Sequence, residues 1–449
     1  MKYGLPVSGT ISGLSPEGLG VFEKDGRTFA VRFTVPGDQV DGTVRRRDGK
    51  THFLDATVVS PSPERVQPRC PFVGRCGGCS WQQMDYAAQL RWKKQLVATA
   101  LGVDVPDVLP SPDTFYYRNR MDYVFGTDGK LGLKEPEKWW SVLDITDCYL
   151  LSAETPRILA EVRVWAAHHA LTFWDGRTGT GLLRYLMIRE GKHTGERLIN
   201  LVTSAEPLPD VAAQDLVARL SPFATSIVHG VQPKITDLSL AETFTVLHGS
   251  LGFHEKLADR TFAIHPNSFF QTNTKGAEQI VAILRDVFGT DRAEQSLLDL
   301  YCGVGSLGIC LADRFTTVRG IEVDADAIAL AQKNATANAA TNVTFESSKV
   351  EDVVTPLSEA ALAELLKNSD AVILDPPRAG LHPRVVKTLV TSGPTDAVYV
   401  SCNYRVLARE LPEILTAYRI VSVRLVDLFP HTPHVETVVH LQRTAKRGT

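Results

Sequence analysis

The hydrophobic and polar positions of this chain fall into three regions with different periods. In the first 60 residues, short runs of alternating apolar and polar residues are separated by turn residues, as in GVFEKDGRTFAVRF around Asp25-Gly26. Asp-Gly between two alternating runs is a strong signal of a β-hairpin, and several short strands at this spacing indicate a small barrel. We therefore predict an OB-like β-barrel over residues 1–60. Such barrels often bind single-stranded nucleic acid, although a barrel can also serve only to pack against its neighbour.

A second region begins near residue 61 with the proline-rich stretch SPSPERVQPRCP, which marks a boundary. Helical periodicity follows in DYAAQLRWKKQLVATAL and ETPRILAEVRVWAAHHAL, and strand-like runs occur in LLRYLMIRE and RLINLVTS. This mixture predicts a central α+β domain over residues 61–260.

From residue 261 onward, apolar strands alternate regularly with amphipathic helical segments. Examples are the strands SLLDLYC, TVRGIEV and AVILD and the helices GAEQIVAILRDVF and ADAIALAQKNATANA. This alternation indicates βαβ units and a mostly parallel sheet. We predict a Rossmann-like domain over residues 261–449, so the whole chain has a multi-domain α/β fold.

Composition agrees with several folded domains. The chain has 449 residues, of which 44% are hydrophobic and 22% charged, which is typical of a globular protein too long for one core. No apolar run approaches the roughly 20 residues of a membrane helix, and MKYGLPVSGTISG lacks the features of a secretory signal. We expect a cytoplasmic protein with no membrane association, and nothing in the sequence indicates an obligate protein partner.

The charge is unevenly distributed, although the net charge is only −3. Basic residues outnumber acidic ones between Lys24 and Lys94, with clusters at Arg45–Lys50 and at Arg91, Lys93 and Lys94 beside Trp92. Cations next to an aromatic ring suit phosphates and stacked bases. A solvated charged face explains any single cluster equally well.

A glycine-rich turn follows the first strand of the C-terminal region, in LLDLYCGVGSLG. Gly303 and Gly305 allow a tight turn and close approach of a ligand, and Glu322 ends the next strand, where a carboxylate can accept ribose hydroxyls. This pattern alone also fits a nicotinamide dehydrogenase. The sequence DPPR beginning at Asp375, after the strand AVILD, is instead typical of S-adenosylmethionine methyltransferases that act on bases. Ligands bind at the carboxyl ends of parallel strands, so Tyr301, Glu322, Asp375 and Cys402 should converge.

Cys402 and Glu436 suggest the chemistry of this crevice. Cys402 ends the strand AVYVSC, and Glu436 lies in the strand HVETVVHL. Carbon 5 of uracil is a poor nucleophile, but a thiolate that adds to carbon 6 makes carbon 5 enolate-like and able to attack a sulfonium methyl group. A base must then remove the carbon-5 proton before the thiolate can leave. A cysteine and a nearby carboxylate are the minimal set for this reaction.

The remaining cysteines suggest a metal centre. Cys70, Cys76 and Cys79 have a Cx5CxxC spacing, and Cys148 is the one further cysteine outside both this cluster and the C-terminal domain. With no secretion signal, disulfides are a poor explanation. Four thiolates fit either zinc or a [4Fe-4S] cluster.

Several motifs appear together in the order and spacing of a known family, namely FFQTN, DLYCGVGSLG, GIEVD, ILDPPRAG, VSCN and FPHTPHVE. With them, nearly the whole chain resembles the RNA uracil-C5 methyltransferases that carry an amino-terminal TRAM barrel and an iron-sulfur cluster. The resemblance implies that Cys402 is the nucleophile and Glu436 the base. It also implies that the four-cysteine site holds [4Fe-4S] rather than zinc.

Contacts to the cofactor or the uracil are implied in the same way for Gln271, Tyr301, Glu322 and Asp375, with Gly303, Gly305 and Ser306 in the glycine turn. Two residues depart from the family pattern. Ser306 stands where a longer Asn is common, and Tyr404 stands where VSCN is usually followed by proline. We expect the second departure to alter the loop beside the thiol.

The RNA substrate is less constrained by the sequence. The resemblance favours 23S ribosomal RNA, and relatives of this architecture act on transfer RNA. A cytosine-C5 enzyme would place a cysteine after the proline of the fourth-strand motif, where this chain has DPPR at 375–378. An amino-group methyltransferase would need no thiolate. A catalytically silent RNA-binding or chaperone protein would not need the set of Cys402, Glu436 and Asp375.

Overall fold

The structure is a computed structural model that describes residues 4–290, 295–348, 350 and 359–444. Within these residues, the strands form sheets of six, seven and eight strands and one two-stranded hairpin. The three large sheets follow one another along the chain in the order of the three sequence regions.

The first sheet is barrel-like. Its strands are β1 (Pro6–Thr10), β2 (Gly13–Leu14), β3 (Gly20–Lys24), β4 (Arg27–Val31), β5 (Gln39–Asp48) and β6 (Thr51–Ser60), in the spatial order β1-β5-β6-β4-β3-β2. Asp25 and Gly26 have φ values of 51° and 68°, as a hairpin with a tight two-residue loop requires. Strand β1 approaches β3 across the core, because a Cβ atom at Gly9 would lie 2.2 Å from the Phe22 ring.

The central region forms the seven-stranded sheet, in the order β10-β9-β8-β11-β12-β13-β14, with α2 and α3 packed against it. Its elements, with those that flank it, are α1 (Tyr86–Leu101), β7 (Val108–Leu109), β8 (Arg120–Phe125), β9 (Leu131–Glu135), β10 (Lys138–Asp144), α2 (Thr155–His168), β11 (Leu183–Glu190), β12 (Arg197–Thr203), α3 (Asp210–Leu220), β13 (Ser226–Val231), β14 (Thr243–His248), β15 (Phe253–Leu257) and β16 (Arg260–Ile264).

The C-terminal region forms the eight-stranded sheet, in the order β19-β18-β17-β20-β21-β23-β22-β7, of which β23 is antiparallel to both neighbours. Its elements are α4 (Thr274–Phe288), β17 (Ser296–Leu300), α5 (Ser306–Cys310), β18 (Thr317–Glu322), α6 (Ala325–Ala337), β19 (Val343–Ser347), α7 (Glu359–Lys367), β20 (Ala371–Leu374), α8 (Pro383–Ser392), β21 (Asp396–Ser401), α9 (Tyr404–Ile414), β22 (Tyr418–Val426) and β23 (Glu436–Arg443).

Two elements of the central region pack with the C-terminal sheet. Strand β7 pairs with β22, and Val97 of α1 lies in the same hydrophobic core as β21 and β22. The expected boundary at 260 also passes through the hairpin of β15 and β16, whose apolar face packs against α4. Proline-rich stretches and changes of period mark loops along the chain, whereas packing in space decides which core an element joins.

The structure contains, among its described residues, no helix with the length and apolar character needed to cross a membrane.

Candidate active site

The predicted site residues meet at the carboxyl edge of the eight-stranded sheet. Strands β18 and β19 lie on one side of β17, while β20 and β21 lie on the other, so the strand order reverses between β17 and β20. Ligands of open α/β sheets bind in the crevice at such a point. Strand β23 runs antiparallel beside β21 with Ser401 opposite Thr437. This register brings Glu436, the first residue of β23, beside Cys402, which follows β21.

The glycine turn after β17 is shaped to approach a ligand. Tyr301, Gly303 and Gly305 have φ values of 65°, 53° and 79°, the left-handed region that glycine adopts without strain. A Cβ atom at Gly303 would meet nothing within 4 Å, whereas one at Gly305 would lie 2.4 Å from the ring of Phe345. Gly305 therefore lets the turn pack against the sheet, and Gly303 leaves space on the open side.

Glu322 fixes the position of this turn. Its carboxylate accepts hydrogen bonds from the backbone N–H groups of Gly303 (3.2 Å), Val323 (2.8 Å) and Asp324 (3.1 Å). Ser306, the first residue of α5, is partly buried at the same turn. The predicted cofactor residues that follow β17 and the one that ends β18 are thus adjacent.

Asp299 is a residue of this region that the sequence analysis missed. Its Oδ2 atom accepts a hydrogen bond from the Gly308 N–H at 3.0 Å, and its side chain is buried inside β17. Burial raises the pKa of Asp299 to about 7, and the negative charge of Asp375 adds to the rise. The detectable signal was a carboxylate in the otherwise apolar strand SLLDL.

Asp375 follows β20 and lies within reach of Gln271. The Gln271 Nε2 atom donates to Asp375 Oδ2 at 3.4 Å. Burial raises the pKa of Asp375 to about 7, while the hydrogen bond from Gln271 opposes the rise. This pair joins the loop before α4 to the end of β20.

The loop that carries Gln271 is held by the central domain. Asn119 donates to the Gln271 carbonyl at 2.7 Å, and the buried Arg189 guanidinium donates to the carbonyls of His265 and Ser268, both at 2.7 Å. Asn119 and Arg189 were not predicted, because the sequence does not indicate which distant loop a buried polar side chain contacts.

Cys402 lies in a cleft of about 530 Å³ between the three regions of the chain. We call it the catalytic cleft, and its lining residues are Pro16, Glu17, Gly77, Gly78, Ser80, Arg118, Arg378, Cys402, Asn403, Tyr404, Arg405, Thr432, Pro433 and His434. The Cys402 side chain is partly buried, and Glu436 beside it is fully buried. Among the described residues, the Glu436 Oε1 atom has no hydrogen-bond partner.

Burial dominates the electrostatics of Cys402 and Glu436. It raises the pKa of Cys402 to about 11, with a further rise from the charge of Glu436, while the Arg378 guanidinium opposes both effects. Burial likewise raises the pKa of Glu436 well above its usual range, and Asp375 adds to the rise. A carboxylate with a raised pKa binds a proton more strongly, which suits a general base.

The barrel contributes one side of the catalytic cleft through the turn at 15–19. The hydroxyl of Tyr404, at the start of α9, donates to the carbonyl of Pro16 at 3.1 Å. Arg405 forms an ion pair with Glu17 at 2.7 Å. The residue that departs from the family pattern therefore connects the loop beside the thiol to the N-terminal barrel.

Gly18 brings the same turn into close contact with the C-terminal domain. Its φ is 81°, and a Cβ atom there would lie 2.6 Å from Pro433. The Gly18 carbonyl accepts a hydrogen bond from the indole of the buried Trp81 at 2.8 Å. Only glycine fits this contact without displacing one of its partners.

The four cysteines predicted as metal ligands line a single small cavity, which is also bounded by Phe72 and Leu133. Cys76, Cys79 and Cys148 are buried, Cys70 is partly buried, and all four are free thiols. Burial raises the pKa of Cys76 to about 11 and that of Cys79 to about 12. Within the described part of the chain, no three of these sulfur atoms lie within 4.8 Å of one another.

One lysine of the predicted nucleic-acid cluster at 91–94 is structural instead. Lys93 is fully buried on α1 and forms an ion pair of 2.6 Å with the equally buried Asp427. Arg91 and Lys94 pair with Glu64 and Asp107. The expectation that these cations are available to phosphates is therefore wrong for Lys93, because the helical period turns it toward the C-terminal domain.

The two histidines near Glu436 have different surroundings. His431 is buried, its backbone N–H donates to Gln89 at 2.8 Å, and its ring packs on Phe115. His434 lines the catalytic cleft, and burial lowers its pKa to about 4. At neutral pH His434 is therefore uncharged.

Comparison with protein families identifies a match over residues 250–444 to the tRNA (uracil-5-)-methyltransferase family. Relatives match nearly the whole chain. A tRNA (uracil(54)-C(5))-methyltransferase of Pyrococcus horikoshii is 36% identical over 97% of this chain and 100% of its own length. An uncharacterized RNA methyltransferase of Nanoarchaeum equitans is 35% identical over 97% of this chain and 92% of its own length.

A solved structure is similar over the same extent. The Pyrococcus abyssi tRNA (uracil-54, C5)-methyltransferase, crystallised with S-adenosyl-L-homocysteine, is 34% identical to this chain. It superimposes with a TM-score of 0.79 and covers 97% of this chain and 100% of its own. Because this likeness extends beyond the C-terminal domain, this chain and the Pyrococcus abyssi enzyme share the arrangement of all three regions.

Proposed function

This chain belongs to the tRNA (uracil-5-)-methyltransferase family and is an RNA methyltransferase, and from that premise we propose that it methylates carbon 5 of a uridine through a covalent adduct with Cys402. The observation that carries the proposal is the thiol of Cys402 at the cleft beside the buried carboxylate of Glu436, whose Oε1 atom has no hydrogen-bond partner among the described residues. Cys402 and Glu436 are neighbours there because β21 and β23 are antiparallel partners.

The reaction begins at the Cys402 thiol, which must first lose its proton. Arg378 favours this step because its positive charge lowers the pKa of the thiol. The Cys402 sulfur then adds to carbon 6 of the uracil, and the electron pair of the carbon 5–carbon 6 double bond moves toward carbon 5. Carbon 5 takes the methyl group from the sulfonium donor, which leaves as S-adenosylhomocysteine.

Glu436 completes the turnover. Its carboxylate removes the remaining proton from carbon 5, the double bond reforms, and the bond from carbon 6 to sulfur breaks. The buried position of Glu436 supports this role, since its raised pKa favours the protonated product of the step. Asp375 and Gln271, which are hydrogen-bonded to each other, would contact polar edges of the bound groups.

The residues around the glycine turn suit S-adenosylmethionine. Glu322 would accept the ribose hydroxyls, and the open space above Gly303 would admit the ligand. Val323, which is 53% exposed directly after Glu322, offers apolar surface for the adenine ring. Tyr301, Gly305 and Ser306 would contact the cofactor at the same turn.

We also propose that Cys70, Cys76, Cys79 and Cys148 hold a [4Fe-4S] cluster. The donor set fits, because it consists of four free thiols at one cavity. Four thiolates complete the ligands of a [4Fe-4S] cluster, so the cluster would organise the loop at 70–79 and take no part in methyl transfer.

For the RNA, the named relatives favour a transfer RNA, since the Pyrococcus enzymes act on uracil 54 of tRNA. The sequence-based choice of 23S ribosomal RNA stays a prediction. The target uridine must be unpaired or flipped out in either case, because stacking and pairing hide carbon 6.

A single assay tests both the reaction and the RNA. Purified protein is incubated with labelled S-adenosylmethionine and either tRNA transcripts or 23S fragments, and 5-methyluridine is located by mass spectrometry. We expect label in tRNA. Label found only in the 23S fragments would instead identify ribosomal RNA as the substrate. Absence of label from both pools would refute the proposed activity.

The covalent step has a separate test. RNA with 5-fluorouridine at the methylated position should remain attached to the enzyme, because fluorine cannot be removed as a proton is. Peptide mapping should find the RNA on Cys402. Attachment to another residue would contradict the assignment of the nucleophile.

A further inference from the structure

An aromatic pocket lies at the far end of the β9–β10 hairpin, outside the catalytic cleft. Trp139 and Trp140 are 54% and 57% exposed, and with Trp174 and Ile235 they line a cavity of about 180 Å³. Large apolar side chains that stay exposed together usually mark a binding surface. The cavity is smaller than typical sites for drug-sized ligands, so it suits a single flat ring.

Shared lining residues connect the aromatic pocket to the catalytic cleft through a third cavity. A second cleft of about 530 Å³ lies between them. It shares Gly77, Gly78 and Arg118 with the catalytic cleft, and it shares Lys134 with the aromatic pocket. The three cavities therefore adjoin one another in the order catalytic cleft, connecting cleft, aromatic pocket.

Positive charges lie along this path. Arg118, Arg378 and Arg405 line the catalytic cleft, where Glu17 is the single carboxylate among its lining residues. Arg120 and Lys134 line the connecting cleft. Arg405, Arg120 and Lys134 form ion pairs with Glu17, Asp122 and Asp237, and Glu135 also lines the connecting cleft. Basic residues still outnumber acidic ones along the two clefts, which favours a phosphate backbone.

The hairpin that carries the two tryptophans is braced by the barrel. Glu137 at its tip forms ion pairs with Arg32 at 2.7 Å and Arg45 at 2.9 Å. These contacts hold the tip of the hairpin against the barrel before any ligand binds, which reduces the entropy lost on binding.

We propose that the aromatic pocket binds an unpaired nucleobase of the substrate RNA, a few nucleotides from the target uridine. The rings of Trp139 and Trp140 are perpendicular, at 87°, so the base would stack on the face of one ring and meet the edge of the other. This inference rests on the proposed function, because it takes RNA as the substrate. A strand that presents a flipped uridine also exposes the faces of its unpaired neighbours, and aromatic side chains stack on such faces whatever the base.

Binding of a fluorescent oligouridylate of about 12 nucleotides tests the proposal without requiring methyl transfer. Loss of a stacked base in the double variant Trp139→Ala/Trp140→Ala should weaken binding about 5- to 100-fold. Trp139→Phe/Trp140→Phe keeps the aromatic faces and should lose much less. Val211→Ala, at an equally exposed apolar position on α3, should bind as the unchanged protein does. Melting temperatures report whether each variant folds.

Photochemical crosslinking locates the base directly. Oligonucleotides with 5-iodouridine at successive positions should crosslink to the peptide containing Trp139 and Trp140 at one position. The proposal would be overturned if the alanine variant and the unchanged protein bound with equal affinity and the crosslinks lay elsewhere. That result is expected if the tryptophans instead form a surface for a protein partner. Failure of the unchanged protein to bind the oligonucleotide would overturn it as well. Absence of methylated RNA in the earlier assay would refute the proposed function but leave this binding comparison interpretable.

Discussion

At the scale of single residues, the central feature is a nucleophile that is protonated at rest. Burial and the neighbouring carboxylates keep the pKa of Cys402 at about 11, and Arg378 is the charged group that lowers it. Only the thiolate is nucleophilic, so reactivity at neutral pH depends on a small ionised fraction. The resting thiol is thereby protected from adventitious alkylation and oxidation.

We expect alkylation of Cys402 by iodoacetamide to accelerate about tenfold per pH unit between pH 7 and 9, because both values lie below the pKa of about 11. The rate is measured by mass spectrometry of the Cys402 peptide. An ordinary exposed thiol would level off near its pKa of about 8.5, and such a plateau would contradict the raised pKa.

Arg378 provides a charge-based test of the same site. Arg378→Gln removes the cation that lowers the pKa of Cys402, so alkylation at pH 8 should slow about three- to tenfold. Arg378→Lys keeps the charge and serves as the control. Equal rates in the two variants would show that the charge of Arg378 does not influence the thiol.

Glu436→Gln should separate methyl transfer from product release. The amide cannot accept the carbon-5 proton, so the methylated RNA should stay attached to Cys402 and accumulate as a band of high mass on a denaturing gel. Turnover should fall at least about a hundredfold, within the range that general bases contribute. Normal turnover without an adduct would assign the base to another group.

At the scale of elements, the barrel turn at 15–19 belongs to the catalytic cleft as much as the strands do. Gly18 and Gly26 allow a matched comparison, because both have positive φ but a Cβ atom at Gly26 would meet nothing within 4 Å. Gly26→Ala should therefore cost only backbone strain of about 1 kcal/mol.

Gly18→Ala adds a collision with Pro433 to the same strain and should destabilise the protein by about 1–3 kcal/mol more. The substitution should also shift the turn and separate Pro16 from Tyr404. We therefore expect kcat/KM for RNA methylation to fall by about tenfold. Denaturant unfolding and steady-state kinetics measure the two effects. Equal kinetics in both variants would show that the turn does not position the cleft.

The elements themselves were largely predictable. The strands β17, β20 and β21 follow buried apolar runs, and the turn at Asp25-Gly26 follows from local chemistry. Lys93 and β7 were not predictable in their roles, because their partners Asp427 and β22 lie far away in the sequence. Periodicity reports which face of an element is apolar, but not which core buries it.

At the scale of the whole molecule, the cysteine site and the catalytic cleft share a wall. Gly78 lines both cavities, and Arg118 lies in the cleft beside it. The convergence of the four cysteines was predictable from spacing and their number. The contact of their loop with the cleft was not, because it depends on how three separately patterned regions dock.

Cys148→Ser should remove most of the iron and acid-labile sulfide from protein purified without oxygen. Because the loop at 70–79 would lose its anchor, the KM for RNA should rise about tenfold while the affinity for S-adenosylmethionine stays the same. Cys310→Ala, a buried cysteine in α5, is the control and should keep its metal. Zinc in place of iron in the unchanged protein would assign the site to zinc.

The ion pair of Lys93 with Asp427 can form only late in the synthesis of this protein. The two residues are 334 positions apart, so at about 5–20 residues per second the ribosome needs roughly 20–70 s to supply the partner of Lys93. Throughout that interval, α1 and β7 have emerged but lack the strand and the carboxylate that complete their surroundings. A nascent chain with an unpaired strand edge and exposed apolar surface is prone to aggregate, so newly made protein should depend on chaperones until its last two strands are translated.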